Sequence, residues 1–210
     1  MVWDHYSKMK QVKFLDELVS CFEKLPGVGQ KTALRYAYYV VEKYNIEDIE
    51  KVCSVLIETF SKVHKCNVCG MITTDDVCDI CSDSTRDTKK ILVVKDPKDL
   101  LSIEKAGGYN GQYHVLGGLI SAFDGVKPDD LNIEILEKRV QKDGVEEVII
   151  ATSLTPAGDI TALYIEKILQ QFNDLKISRI GYGLPAGSDL EYADELTIKR
   201  ALDFRITKNK

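Results

Sequence analysis

The chain has 210 residues, 44% of them hydrophobic and 29% charged, with a formal net charge of −5. That length and composition suit a globular protein of one or two small domains, and the acidic balance excludes a surface that is basic throughout. No apolar run approaches the ~20 residues of a membrane span, and Met1 to Lys10 show no apolar segment followed by a small-residue cleavage site, so a cytoplasmic protein is expected.

In chain order, Phe14, Leu15, Leu18, Val19, Phe22 and Leu25 recur at three- and four-residue spacings and predict a first amphipathic helix, broken at Leu25-Pro26-Gly27-Val28-Gly29. A second helical pattern runs through Ala33, Leu34, Ala37, Val40 and Val41, and a third from Ile46 to about Val63, so residues 1–65 read as a small helical bundle. Four cysteines follow between Cys66 and Cys81. Beyond them, short apolar runs alternate with helical patterns: strands at Ile91–Val94, Gln112–Leu116, Val148–Ala151 and Ile177–Ile180, and helices at Asp96–Ala106, Leu131–Val140 and Ile160–Phe172. That alternation predicts a mostly parallel sheet covered by helices. Leu190–Leu202 reads as a final helix.

The turn between the first two helices can carry function. Gly27 and Gly29 permit positive φ and leave the backbone bare, and the first N–H groups of the next helix have no partner within it. A phosphate can seat there, with Lys31 and Arg35 projecting from one helix face toward neighbouring phosphates. Such a grip reads no base, so binding would be sequence-nonspecific. The plainer alternative is a chain reversal followed by two solvated cations. Residues 1–65 hold ten Lys/Arg against nine Asp/Glu, whereas the remainder carries a net −6, so a DNA surface would be local and N-terminal.

Six cysteines in a cytoplasmic chain do not suggest a disulfide framework. Cys21 and Cys53 stand alone among helix-patterned apolar residues and are expected to be small buried hydrophobes. Cys66-x-x-Cys69 and Cys78-x-x-Cys81 are two knuckles eight residues apart, the ligand set of a tetrahedral, structural Zn2+ site, one per chain. A redox pair would explain only one of the two motifs. His64 could substitute as a ligand, but four thiolates already complete the shell.

Loops after the carboxyl ends of parallel strands are where α/β folds place ligands. Here they offer Asp96 and Asp159, but beside Lys95 and Ala157. Mg2+ needs several hard oxygen ligands, so the favoured roles are local: Asp96 caps the helix that starts at Pro97, and Asp159 lies in a first helical turn. The glycine-rich stretch from Gly181 to Tyr192 has no Lys-Ser/Thr pair of a phosphate loop and reads as a lead into a capped helix or a subunit contact.

With these pieces in this order, the chain resembles the RecR family of bacterial recombination mediators over nearly its full length. The matching residues are Leu25 to Arg35, the four cysteines, Val94 to Leu100, Tyr113-His114-Val115-Leu116-Gly117-Gly118, Thr161 to Ile165, and Gly183-Leu184-Pro185 leading to Asp189 to Tyr192. The resemblance implies an α+β multi-module fold: a helix-hairpin-helix domain at 1–65, a four-cysteine zinc finger at 66–81, a Toprim domain at 90–185, and a Walker-B-like oligomerisation segment at 186–210. It implies DNA contacts at Gly27, Gly29, Lys31 and Arg35, and ring-like oligomers, typically tetramers, that encircle DNA at the nucleoid. It further implies work with RecO, and in many bacteria RecF, to load RecA on single strands coated by single-strand-binding protein. The chain departs from the family where Lys95 stands for the usual Glu, Ala157-Gly158-Asp159 for Glu-Gly-Glu, and Tyr182 for a basic residue. Mg2+ is therefore not expected at the Toprim site, and Lys95 is expected to act as a fixed cation in its place. Non-catalytic mediation is the leading function. A Toprim nuclease, primase or topoisomerase component is opposed by Lys95 and Ala157, and a zinc-stabilised scaffold that never touches DNA differs in having no use for Lys31 and Arg35.

Overall fold

A computed structural model describes residues 13–181, 183–184, 186–187 and 189–205. The chain forms two compact units, Met1–Lys62 and Val63–Lys210.

In the first unit, α1 (Lys13–Glu23) and α2 (Gln30–Lys43) pack on each other, with Ala33 and Ala37 fully buried on α2. The Phe22 ring meets Tyr36 edge-on at 6.0 Å. Helix α3 (Ile46–Lys62) is opened by a reciprocal pair in which the amide of Asn45 donates to Asp48 and that of Asp48 to Asn45. The unit is helical, as expected, but no residue of α3 is buried, and Leu56, Ile57 and Phe60 are 64%, 70% and 91% exposed. Cys21 and Cys53 are exposed rather than buried. Periodicity registers an apolar stripe; it does not register whether the same chain supplies something to cover it.

The second unit begins with β1 (His64–Lys65) and β2 (Ile72–Thr73), an antiparallel pair, and the short helix α4 (Asp79–Ser82). Next come β3 (Asp87–Val94), α5 (Pro97–Ala106), β4 (Gly111–Val115), α6 (Ile133–Lys142), β5 (Glu147–Ala151), α7 (Pro156–Leu169), β6 (Lys176–Arg179) and α8 (Glu195–Asp203). The last four strands form one sheet in the order β4-β3-β5-β6, every pairing parallel. The predicted strands and helices are all present with shifted ends. β3 starts four residues earlier than its apolar run because Asp87 to Lys90 are polar residues at its accessible end. The final helix is shorter than expected: Leu190–Tyr192 is a separate 3-10 turn, and Asp194 starts α8 by accepting from the Thr197 amide at 2.9 Å.

Strand alternation divides the core. Ile91 and Val93 face a layer containing Leu136, Val140, Ala162, Ile165 and Leu169 from α6 and α7. Leu92 and Val94 face the opposite layer with Leu100, Tyr113 and Val115, against which Met71 and Ile80 of the cysteine module pack. The module is thus part of one sheet face, next to α5. The strand order turns about β3, whose chain goes first to β4 on one side and then to β5 on the other. The carboxyl ends of β3 and β5 therefore carry the loops that hold Asp96 and Asp159.

Candidate nucleic-acid interface and zinc centre

The hairpin is built by backbone geometry. Gly27 has φ +77°, a left-handed conformation that glycine adopts without strain. The amide of Leu25 donates to Phe22 and that of Val28 to Leu25, closing the reversal. Gly29 is the N-cap of α2, with extended backbone and no side chain to cap the helix. An anion can approach both glycines because a Cβ built at either meets nothing within 4 Å. Lys31 and Arg35 are exposed just beyond, Arg35 with its guanidinium 5.6 Å from the Tyr36 ring centroid. The four residues named from the sequence therefore lie at one helix start, with positive dipole end, bare backbone and two cations together.

The four cysteine sulfurs all lie within 4.8 Å of one another. A tetrahedral Zn–S length of about 2.3 Å implies S···S separations of about 3.8 Å, and Cys69 Sγ and Cys78 Sγ are 3.5 Å apart. Backbone amides aim at the sulfurs as they do at thiolates: Val68 and Cys78 donate to Cys66 Sγ, and Met71 to Cys69 Sγ, at 3.3–3.4 Å. Hydrogen bonding from Cys81 draws Cys69 down to about 5, while burial pushes Cys78 up to about 11 and the bond to Cys69 pushes Cys81 up. A dication shared by all four would reverse the upward shifts. The residues fit structural zinc. His64 is exposed, with Nδ1 3.3 Å from the Lys65 carbonyl, and stands outside the cluster.

The module is fastened to the sheet by groups that sequence reading left without a role. The Val115 amide donates to the Cys69 carbonyl at 2.7 Å, and Asn132 Nδ2 donates to the Val115 carbonyl at 2.9 Å. Gly70, at φ +77°, must be glycine: a Cβ there would sit 2.8 Å from Asn132 Nδ2 and 2.9 Å from the Val115 carbonyl. His114 is fully buried, its Nε2 donating to the Asn132 carbonyl at 2.8 Å, while Arg139 bonds the Tyr113 carbonyl at 2.7 Å. The Tyr113–Gly118 motif therefore ties strand β4 to α6 and to the zinc knuckle.

At the carboxyl ends of β3 and β5, Asp96 caps α5 by accepting from the amides of Lys98 and Asp99 at 2.9 and 3.2 Å, as expected. Partial burial opposes its ionisation, but these amides and the Lys95 charge hold the carboxyl below its usual range. Lys95 Nζ lies 3.5 Å from Asp96. Asp159, in the first turn of α7, accepts from Arg179 Nη2 at 2.8 Å and from Arg200 Nη2 at 2.5 Å. Partial burial opposes its ionisation too, but those two hydrogen bonds outweigh it and keep the pKa low. Neither arginine carried a sequence signal, since β6 and α8 meet α7 only in the fold. Tyr182 lies outside the described residues, as do Pro185 and Ser188 of the glycine-rich stretch.

A helix-hairpin-helix unit followed by a four-cysteine module docked on a parallel Toprim-type sheet defines a zinc-finger Toprim protein. Four family models match the chain in order: the RecR helix-hairpin-helix over residues 15–58, the RecR four-cysteine zinc finger domain over 63–83, the Toprim domain over 89–181 and the RecR C-terminal family over 183–206. The chain is 45% identical over 189 residues to Recombination protein RecR of Latilactobacillus sakei, covering 90% of this chain and 94% of the relative. It is 47% identical over 191 residues to Recombination protein RecR of Rippkaea orientalis, covering 91% and 95%. The chain belongs to the RecR family of recombination proteins. No helix among the described residues is long and apolar enough to cross a membrane.

Proposed function

We propose that the protein is a non-enzymatic recombination mediator that binds DNA without sequence preference and works in the cytoplasm, at the nucleoid. The observation that carries this reading is the hairpin: two bare glycines, an α2 start with no side-chain cap, and Lys31 and Arg35 exposed beside it. Gly27 and Gly29 admit the phosphate, and the two cations grip it and its neighbour. Cys66, Cys69, Cys78 and Cys81 hold one Zn2+ per chain, in a structural role. The chain works as four modules, 1–65, 66–81, 90–185 and 186–210. Its partners are RecO and, where present, RecF, and the outcome is RecA loading on single-stranded DNA. The open apolar stripe of α3 supports a homo-oligomer, read as a tetrameric ring, because exposed leucine and phenylalanine at this density favour a protein contact. Mg2+ has no part at the Toprim centre, where Asp96 caps a helix and Asp159 is held by two guanidinium groups.

The test is binding of single-stranded DNA across a salt series. Wild type should bind with a steep slope, and Lys31→Ala/Arg35→Ala weakly with a slope shallower by roughly two. Equal binding and equal slopes for both proteins would remove the hairpin as the phosphate grip and leave the scaffold reading.

A further inference from the structure

Helix α8 buries none of its residues, so little apolar packing holds it to the sheet domain. Arg200, in its second turn, nevertheless reaches across to Asp159 on α7, and Arg179 of β6 takes the other oxygen of the same carboxylate. All three side chains are only 21–26% exposed. Arg179 also lies 3.8 Å from Glu166. Asp159 belongs to the segment after β5, where a Toprim fold would place carboxylates for a divalent ion, yet both its oxygens are committed to guanidinium groups.

We propose that the Asp159–Arg179–Arg200 cluster is an internal cation site that replaces a divalent metal at the Toprim centre and uses the same charge to clasp the C-terminal helix to the sheet domain. The physical logic is substitution of one positive charge by another. A carboxylate already holding two charge-assisted hydrogen bonds is a poor ligand for a hard ion that demands several oxygens in fixed geometry. Ala157 supplies no second carboxylate beside it. The cluster therefore has a mechanical consequence that a metal site would not have: one of its cations is on α8, so neutralising Asp159 loosens the C-terminal helix. Lys95, the cation singled out in the sequence, is not part of this arrangement; it faces Asp96. The proposal rests on the metal-free reading of the Toprim centre, and the two arms of its test separate the two claims.

The first arm measures hydrogen exchange of α8 backbone amides in the full-length, zinc-loaded protein. Arg200→Gln and Asp159→Asn should each speed α8 exchange by roughly three- to tenfold, and the double variant should exchange more slowly than the product of the two single effects. Unchanged exchange in Arg200→Gln, or single effects that multiply in the double variant, overturns the clasp. Arg200→Gln lies on a helix with no buried residue, and unchanged exchange in β3 and β5 verifies that the sheet is intact. Arg200→Lys, which keeps the charge but not the fork, should give a smaller acceleration. The second arm titrates Mn2+ into wild type and follows its bound fraction by electron paramagnetic resonance, together with α8 exchange. No bound ion and no change in exchange are expected up to millimolar Mn2+. Saturable binding that Asp159→Asn abolishes would sink both the internal cation site and the metal-free reading, whereas a silent titration with a failed first arm would sink the clasp alone.

Discussion

The Val115 amide donates to the Cys69 carbonyl at 2.7 Å, joining the first zinc knuckle to an edge strand of the Toprim sheet. The bond continues the pairing of β4 beyond its one strand neighbour, β3, and Asn132 braces the same residue from the α6 side. Zinc removal is therefore expected to affect the sheet as well as the finger. Chelation, or Cys69→Ser, should lower unit stability by several kcal/mol, of the order seen when structural metal sites are lost. It should also raise hydrogen exchange at Tyr113–Leu116. A zinc-free protein with β4 still fully protected would show that the finger hangs free of the sheet.

Gly70 and Gly27 share the same backbone conformation but not the same surroundings. Both have φ +77°, yet a Cβ on Gly27 meets nothing, whereas one on Gly70 collides with Asn132 and the Val115 carbonyl. Gly27→Ala should cost only the left-handed penalty, about 1–2 kcal/mol. Gly70→Ala adds overpacking and should cost about 2–5 kcal/mol in total. Urea denaturation of the two variants is the measurement, and equal losses would contradict the docking geometry.

His114 gives a pH dependence whose sign can be derived. Burial first, and then the Arg139 charge, hold its pKa down to about 3 against the hydrogen bond to Asn132. In the unfolded chain it titrates near 6.5. Between those values only the unfolded chain takes up the proton, so stability fully present above about 6.5 is lost progressively as the pH falls toward 3. The carboxylates with lowered pKa, such as Asp159 and Glu104, add their own loss only at the acid end of that range. His114→Gln should flatten the slope of unfolding free energy between about pH 6.5 and 5. A variant as pH-sensitive as wild type there would mean that His114 is not the group responsible.

The α3 stripe tests the proposed assembly. Leu56 and Phe60 are 64% and 91% exposed in the single chain, so Leu56→Asp/Phe60→Asp should leave a lone chain's stability within about 0.5 kcal/mol of wild type. If a second copy covers the stripe, the same variant should reduce the molar mass by light scattering to that of a smaller species. An unchanged mass would place the subunit contact elsewhere.

The modules were legible in the sequence because their signals are local. Leu25–Gly29 must turn, two Cys-x-x-Cys knuckles eight residues apart can close on one ion, and β-branched runs between helical patterns demand a parallel sheet. Asp96 before Pro97 could only be a cap or a ligand, and the cap was legible as such. The contacts that fasten these modules together depend instead on residues far apart in the chain, so they arise only on folding. Arg179 and Arg200 lie 20 and 41 residues beyond Asp159, and nothing near them marks them as its partners until β6 and α8 reach α7. The bond from Val115 to Cys69 crosses 46 positions and needs the module to land on β4. The exposure of Cys21, Cys53 and the α3 stripe was settled in the same way, since a helical period shows which residues share a face, and only the assembled chain shows what, if anything, covers it.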